Sequence, residues 1–129
     1  MFDKYMICEE TARNVRRGDQ VVGFEFGARL PYYRGLGLSM VEDVAVAVDG
    51  EKIARGDVRV TVAGRTYTLD EMETVYDATW NFGEVVMVTA LKAGGLKPGE
   101  HKLELTEQLR VSYMPFPIVG KDTKTLRIG

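Results

Sequence analysis

Positions 20–30 alternate between two kinds of residue. Val22, Phe24, Phe26, Ala28 and Leu30 are apolar, and Gly23, Glu25, Gly27 and Arg29 fall between them. A period of two turns one set toward a core and the other toward water, which predicts a half-buried β-strand. Val44, Val46 and Val48 repeat the pattern, as do Val58, Val60 and Val62. Asp49-Gly50 after the first of these triplets is a strong two-residue hairpin signal. Ala63-Gly64-Arg65 turns the second into Thr66-Tyr67-Thr68-Leu69, which is rich in β-formers. The segment 70–73 (Asp-Glu-Met-Glu) predicts a single helical turn. Trp80-Asn81-Phe82 and positions 85–91 predict two further strands separated by Gly83-Glu84.

The segment 94–99 (Gly-Gly-Leu-Lys-Pro-Gly) is a loop by its glycine and proline content. The longest predicted strand follows at 101–113, with Leu103, Leu105, Leu109, Val111 and Tyr113 on one face. Glu107 falls on that apolar register, so the pattern predicts a bulge or edge position there, the alternative being an inward carboxylate. Short strands with a turn signal about every ten residues, and almost no helical periodicity, predict an all-β antiparallel sandwich, immunoglobulin-like or related. The segment 96–103 also resembles the loop that enters a late strand in immunoglobulin-like sandwiches. With 129 residues and no repeat or linker, the chain is expected to form one domain spanning positions 1–129.

Composition narrows the function class. A formal net charge of −2 with scattered basic residues argues against a nucleic-acid surface. No run is long and apolar enough to span a bilayer, and the start of the chain lacks the features of a secretory signal. The single cysteine, Cys8, has no internal disulfide partner and reads as a small buried hydrophobe. A cytoplasmic location is expected.

Candidate chemistry is sparse. The chain has one histidine, His101, and only Ser39 and Ser112 as serines, and it has no nucleophile elbow. His101 opens a strand after a Pro-Gly turn, where a structural role is expected. Clusters of imidazole or thiolate ligands are excluded by inventory. Acidic pairs such as Glu9-Glu10 lack calcium-loop spacing, and Gly35-Leu36-Gly37 lacks the context of a dinucleotide fingerprint. No catalytic residue, metal ligand or cofactor is therefore assigned to this chain.

Two segments do not read as minimal turns. Positions 29–39 (Arg-Leu-Pro-Tyr-Tyr-Arg-Gly-Leu-Gly-Leu-Ser) interrupt two strands, and positions 112–117 (Ser-Tyr-Met-Pro-Phe-Pro) follow the longest one. Tyr32, Tyr33, Arg34, Tyr113, Met114 and Phe116 are of types enriched at the energetic centres of interfaces. Pro115 and Pro117 stiffen the second segment and remove two backbone donors. One reading makes these residues partner-interface anchors; the other folds them back as plugs on the sandwich ends. Loop aromatics also stack on sugar rings, so a free-standing carbohydrate-binding sandwich is the alternative function.

The segments YYRG with the following LS-x-VED (32–43), VDGEK (48–52), YTLDEMET (67–74), WNFGE (80–84), GGLKPGEH (94–101) and SYMPFP (112–117) resemble the small β subunit of bacterial C-glycoside deglycosidases. YYRG and SYMPFP are the specific parts of the match. The resemblance implies a non-catalytic subunit of a hetero-oligomer whose larger α subunit has a TIM-barrel fold and carries a divalent metal, typically manganese. It further implies cleavage of the C–C glycosidic bond of 3-oxo-C-glycosides by elimination, with plant flavonoid and related C-glucosides as natural substrates. It implies no metal ligand in this chain.

Overall fold

A computed structural model describes residues 3–32, 34–111 and 115–128. After a single 3-10 turn at Asp3–Tyr5, the chain runs through β1 (Ile7–Arg17), β2 (Gln20–Ala28), β3 (Leu36–Gly37) and β4 (Val41–Val48). It continues through β5 (Glu51–Lys52), β6 (Val58–Val62), β7 (Arg65–Thr68) and the helical turn α1 (Leu69–Met72). The remaining strands are β8 (Thr79–Trp80), β9 (Val86–Leu91), β10 (Gly99–Leu109) and β11 (Ile118–Ile128). One antiparallel sheet has the order β1-β2-β9-β6-β7, a second has the order β11-β10-β4-β5, and β3 pairs with β8 in a small ladder. The all-β sandwich expected from the alternation is the observed architecture.

The alternating residues explain the layers. Phe24, Phe26, Val58, Val60, Val88 and Ala90 of the first sheet are buried, as are Val44, Val46, Leu103, Leu105 and Leu126 of the second. They form one continuous apolar cluster, and each large side chain fully removed from water stabilises the fold by about 1.5–3 kcal/mol. Both predicted hairpin turns form. Asp49 and Gly50 take φ of 52° and 82°, and Ala63 and Gly64 take 51° and 83°. Positive φ at both central residues matches the twist of the flanking strands. The helical turn begins one residue earlier than the pattern predicts because Thr68 caps it: Glu71 N–H donates to Thr68 Oγ1, and Glu71 returns a carboxylate oxygen to the Thr68 N–H.

Two long strands, and the two-residue β3, were not legible in the pattern. β1 pairs with β2 through register shifts between Cys8 and Arg13 and between Val15 and Arg16, and such irregularities break a period of two. β11 alternates regularly, but Gly120 and Asp122 are two of its buried positions, so it carries little apolar signal. Two expectations are corrected. Trp80-Asn81-Phe82 is not a strand beyond Trp80: Glu84 N–H donates to Asn81 O at 3.0 Å, Glu84 Oε1 accepts from Asn81 N–H at 2.9 Å, and a turn results. Glu107 marks no bulge. β10 keeps unbroken register with β11 from Gly99 opposite Ile128 to Leu109 opposite Ile118, and its shift against β4 falls between Gln108 and Leu109. Glu107 keeps the inward phase of Leu103 and Leu105 and is fully buried.

The sandwich is closed along both edges. On the β1/β11 side, Asp122 Oδ2 accepts from Ile7 N–H at 3.0 Å and from Lys124 Nζ at 2.8 Å, and Lys124 Nζ also donates to Lys4 O at 2.7 Å. On the β5/β7 side, Arg55 reaches Asp43 at 2.8 Å and Asp70 at 3.3 Å. The second cluster is exposed and individually weak; the first is buried. Cys8 is buried too, and burial pushes its thiol above the ordinary value, which leaves it unreactive.

His101 clasps the Asp49-Gly50 turn to the loop before β10. Its Nδ1 lies 2.6 Å from Asp49 Oδ2 and its Nε2 lies 2.7 Å from Lys97 O. Both neighbours are acceptors, so both bonds form only when the ring is an imidazolium. The hydrogen bond to Asp49 chiefly, then the Lys97 carbonyl, raises the His101 pKa. The His101 hydrogen bond chiefly, then the Lys102 N–H, lowers that of Asp49.

Two predictions follow from these clasps. The His101 contribution is complete below its unfolded pKa of about 6.5 and is lost as pH rises through the raised folded value; the Asp49 contribution is lost instead as pH falls below about 4. The melting-temperature margin of the wild type over His101→Gln should therefore be larger near about pH 6 than near about pH 9; a margin independent of pH excludes an imidazolium clasp. Asp122→Ala should destabilise the chain by about 1–3 kcal/mol in denaturant unfolding, because it leaves the buried Ile7 N–H without its acceptor, while Lys124 keeps its bond to Lys4 O.

Candidate partner interface

The crossover from the first sheet to the second lies between β2 and β4, and its described residues, 29–32 and 34–40, are tied to the fold by hydrogen bonds and close packing. Arg29 N–H donates to Met6 O at 2.8 Å, and Arg29 Nη1 donates to Tyr5 O at 3.3 Å. Pro31 then packs onto β11 at Gly120, where an added Cβ would lie 2.6 Å from both Pro31 Cβ and Cγ. Gly120 is thus a residue of necessity, as is Gly35, whose Cβ would lie 3.2 Å from Asn81 Cα and Trp80 O. Leu36 and Gly37 pair with Trp80 and Thr79. Leu38 N–H then donates to Ala78 O at 3.0 Å and Ser39 N–H to Val75 O at 3.2 Å. Trp80 is fully buried, and its Nε1 donates to Glu84 O at 2.9 Å, so the wall against which the crossover leans is itself fixed.

Two open clefts flank this segment. One, of about 350 Å³, is lined by Tyr5, Arg29, Leu30, Phe82 and Gly83. The other, of about 250 Å³, is lined by Tyr32, Arg34, Gly35, Leu36, Met40, Arg110 and Val111. Tyr5 and Phe82 are each more than half exposed. Aromatic rings beside the arginines 29, 34 and 110 give a surface of apolar and cationic character, a combination suited to a protein partner.

The six residues proposed from sequence divide. Tyr32 is 3% exposed and belongs to the core cluster, so its side chain is a plug and not a surface anchor in the free chain. The reason is the seat at Gly120, which draws residues 31–32 inward behind it. Arg34 is exposed, and Phe116 is 64% exposed. Tyr33, Tyr113 and Met114 lie outside the described residues. Tyr5 and Phe82 went unpredicted. Phe82 had a signal, an aromatic residue beside a glycine in a turn-forming stretch; Tyr5, in a short N-terminal segment without periodicity, had none. Among the described residues, no group of three or more His, Cys, Asp or Glu side chains is placed to hold a metal ion, and no helix is long and apolar enough to cross a membrane.

A family model described as C-glycoside deglycosidase beta subunit matches residues 2–113. The chain belongs to that family. The match takes in Tyr32, Tyr33, Arg34 and Tyr113 and ends before Met114 and Phe116. The C-glycoside deglycosidase beta subunit of Eubacterium cellulosolvens is 34% identical over 118 residues, covering 91% of this chain and 80% of the relative. The beta subunit of the same name from Arthrobacter globiformis is 40% identical over 105 residues, 76% of this chain and 77% of its own. The 3'-dehydrocarminate deglycosidase beta subunit of a Microbacterium species is 32% identical over 99 residues, covering 77% of this chain and 73% of its own. The family resemblance expected from the six sequence segments is thereby established.

Within this family member, burial separates plug from anchor in a measurable way. Tyr32→Ala should lower the stability of the free chain by about 3–5 kcal/mol, the range for large aromatic truncations in a core. Phe116→Ala should leave it within about 0.5 kcal/mol. Equal losses in the two variants, by thermal or denaturant unfolding, would contradict the assignment.

Proposed function

We propose that this chain is the small, non-catalytic subunit of a hetero-oligomeric C-glycoside deglycosidase and acts by holding a larger TIM-barrel α subunit. The observation that carries the reading is the family match over residues 2–113, joined to the two clefts beside the crossover, one with exposed Tyr5 and Phe82 and the other with exposed Arg34, and to an exposed Phe116. The divalent metal that the family resemblance implies, manganese, is assigned to the partner; in this chain, among the described residues, no three His, Cys, Asp or Glu side chains gather to hold one. In the partner it would supply positive charge beside the substrate's carbonyl oxygen. The substrate is a C-glycoside already oxidised at the sugar's 3-position. Its carbonyl acidifies the neighbouring C–H, and removal of that proton lets the C–C bond to the aglycone break by elimination. This chain contributes no group to that step; its residues bind and orient the partner.

A second reading, a free-standing sugar-binding sandwich, has one observation in its favour. An open cleft of about 500 Å³ is lined by Tyr67 together with Arg65, Asp77, Asn81 and Glu84, an aromatic ring among planar polar groups. Saturable binding of a C-glucoside by the isolated chain, without a partner, would favour it.

The subunit reading is tested by titrating the chain against its α subunit and assaying turnover of a 3-oxo-C-glucoside. Arg34→Ala and Phe116→Ala should each weaken association about 30-fold, as loss of an anchor worth about 2 kcal/mol implies, with unchanged turnover once the complex is saturated. Turnover by the isolated chain, or wild-type affinity in both variants, would overturn it.

A further inference from the structure

Several arginines are engaged within the chain. Arg13 pairs with Glu25, Arg127 with Glu100, and Arg55 with Asp43, Asp70 and Glu73. Arg29 donates to Tyr5 O, and Arg59 donates to Gly56 O and Val58 O. Among the described residues, Arg16, Arg17, Arg65 and Arg110 make no ion pair. The first three flank the hairpin turns after β1 and β6, where a cation in open water is ordinary. Arg110 is placed differently.

Its backbone is fixed, because Leu109 pairs with Val41 and Ile118 and the Arg110 N–H donates to Met40 O at 2.8 Å. Arg110 is exposed and, with Arg34, lines the open cleft of about 250 Å³ whose apolar walls include Leu36, Met40 and Val111. No described acid lines that cleft. Glu42 and Glu73 line a separate cleft with Arg110. There Glu42 Oε1 accepts from Gln108 Nε2 at 3.1 Å, and Glu73 lies 3.7 Å from Arg55 Nη2. Two guanidiniums lining one cleft give it a positive potential, and a surface that matches it is negative. A carboxylate meets a guanidinium through two parallel hydrogen bonds. Such a pair is worth little in open water, but apolar walls covered by another chain exclude water and strengthen it. We propose that this cleft receives an aspartate or glutamate side chain of the α subunit and that Arg110 binds it. The proposal rests on the interface reading above and names the chemistry of the surface that docks there.

The test titrates the full-length chain against the α subunit at about 0.05 M and about 0.5 M salt, where screening differs strongly. Arg110→Ala should weaken association at least about tenfold at the lower salt and less than about threefold at the higher. Arg110→Glu, which sets like charges together, should weaken it at least about 100-fold at the lower salt. Both variants should keep the melting temperature of the free wild-type chain, because the side chain is exposed. Wild-type affinity in Arg110→Ala, equal losses at both salt concentrations, or affinity lost in step with melting temperature would each overturn the proposal. Arg110→Glu binding no more weakly than Arg110→Ala would do the same. Inorganic phosphate titrated into the free chain probes the remaining occupant: tight, saturable binding that Arg110→Ala removes would assign the cleft to a small anion and overturn the proposal. Arg34→Ala and Phe116→Ala run in the same titration. If they weaken association and the Arg110 variants do not, this inference alone fails; if both bind as wild type, the interface reading has failed and this inference falls with it.

Discussion

The chain must pass from one sheet to the other between β2 and β4, and that passage constrains much of the molecule. Two packed sheets lie about 10 Å apart, so a two-residue turn does not suffice. Residues 29–40 make the crossing with a proline seated on Gly120, a tyrosine sunk into the core and a glycine pressed against the Trp80–Asn81 backbone. Each of these features is needed for the step itself. The exposed residues they leave behind, Arg34 on the crossover and Phe82 on the supporting turn, are then presented from a rigid support. Pre-set geometry of this kind limits the ordering cost of docking.

Around that crossover the polar interior is arranged by strand register. β10 is the hinge of this arrangement, because it pairs without interruption to β11 on one side and nearly so to β4 on the other. The unbroken ladder forces Glu107 inward, and the same ladder places Asp122 where it can take up the Ile7 N–H. A family of small subunits needs both a core stable enough to fold and a surface suited to another chain. Inner and outer faces alternate within this one strand pair, with Glu107 opposite Gly120 and then Gln108 opposite Val119, which is half exposed.

The lone histidine and the lone cysteine both serve the fold. The lone histidine is committed to a turn through Asp49 and Lys97, and the lone cysteine is buried with its thiol held protonated. Neither is placed as a nucleophile or a general base. Exposed aromatic area and arginine charge lie instead beside the crossover.

The alternation of Val22 to Leu30, the valine triplets and the leucines of positions 103–109 determined by themselves that the chain is built of half-buried β-strands, because a period of two turns one face of each strand to a core; a sandwich or a barrel satisfies it equally. Asp49-Gly50 and Ala63-Gly64 likewise determined two hairpins, since their backbone preferences are local. The six segments, YYRG among them, pointed to the family; most of SYMPFP lies beyond the matched residues 2–113. Tertiary structure decided the rest. β1 was hidden by its register shifts and β11 by glycine and aspartate at buried positions, because those residues answer to neighbours far away in the chain. Whether Tyr32 is exposed or a plug, and whether Glu107 marks a bulge or a buried carboxyl group, depended on Pro31 meeting Gly120 and on a ladder held in register across two strands. Local pattern fixes which face a residue prefers; only packing between distant segments fixes what it meets there.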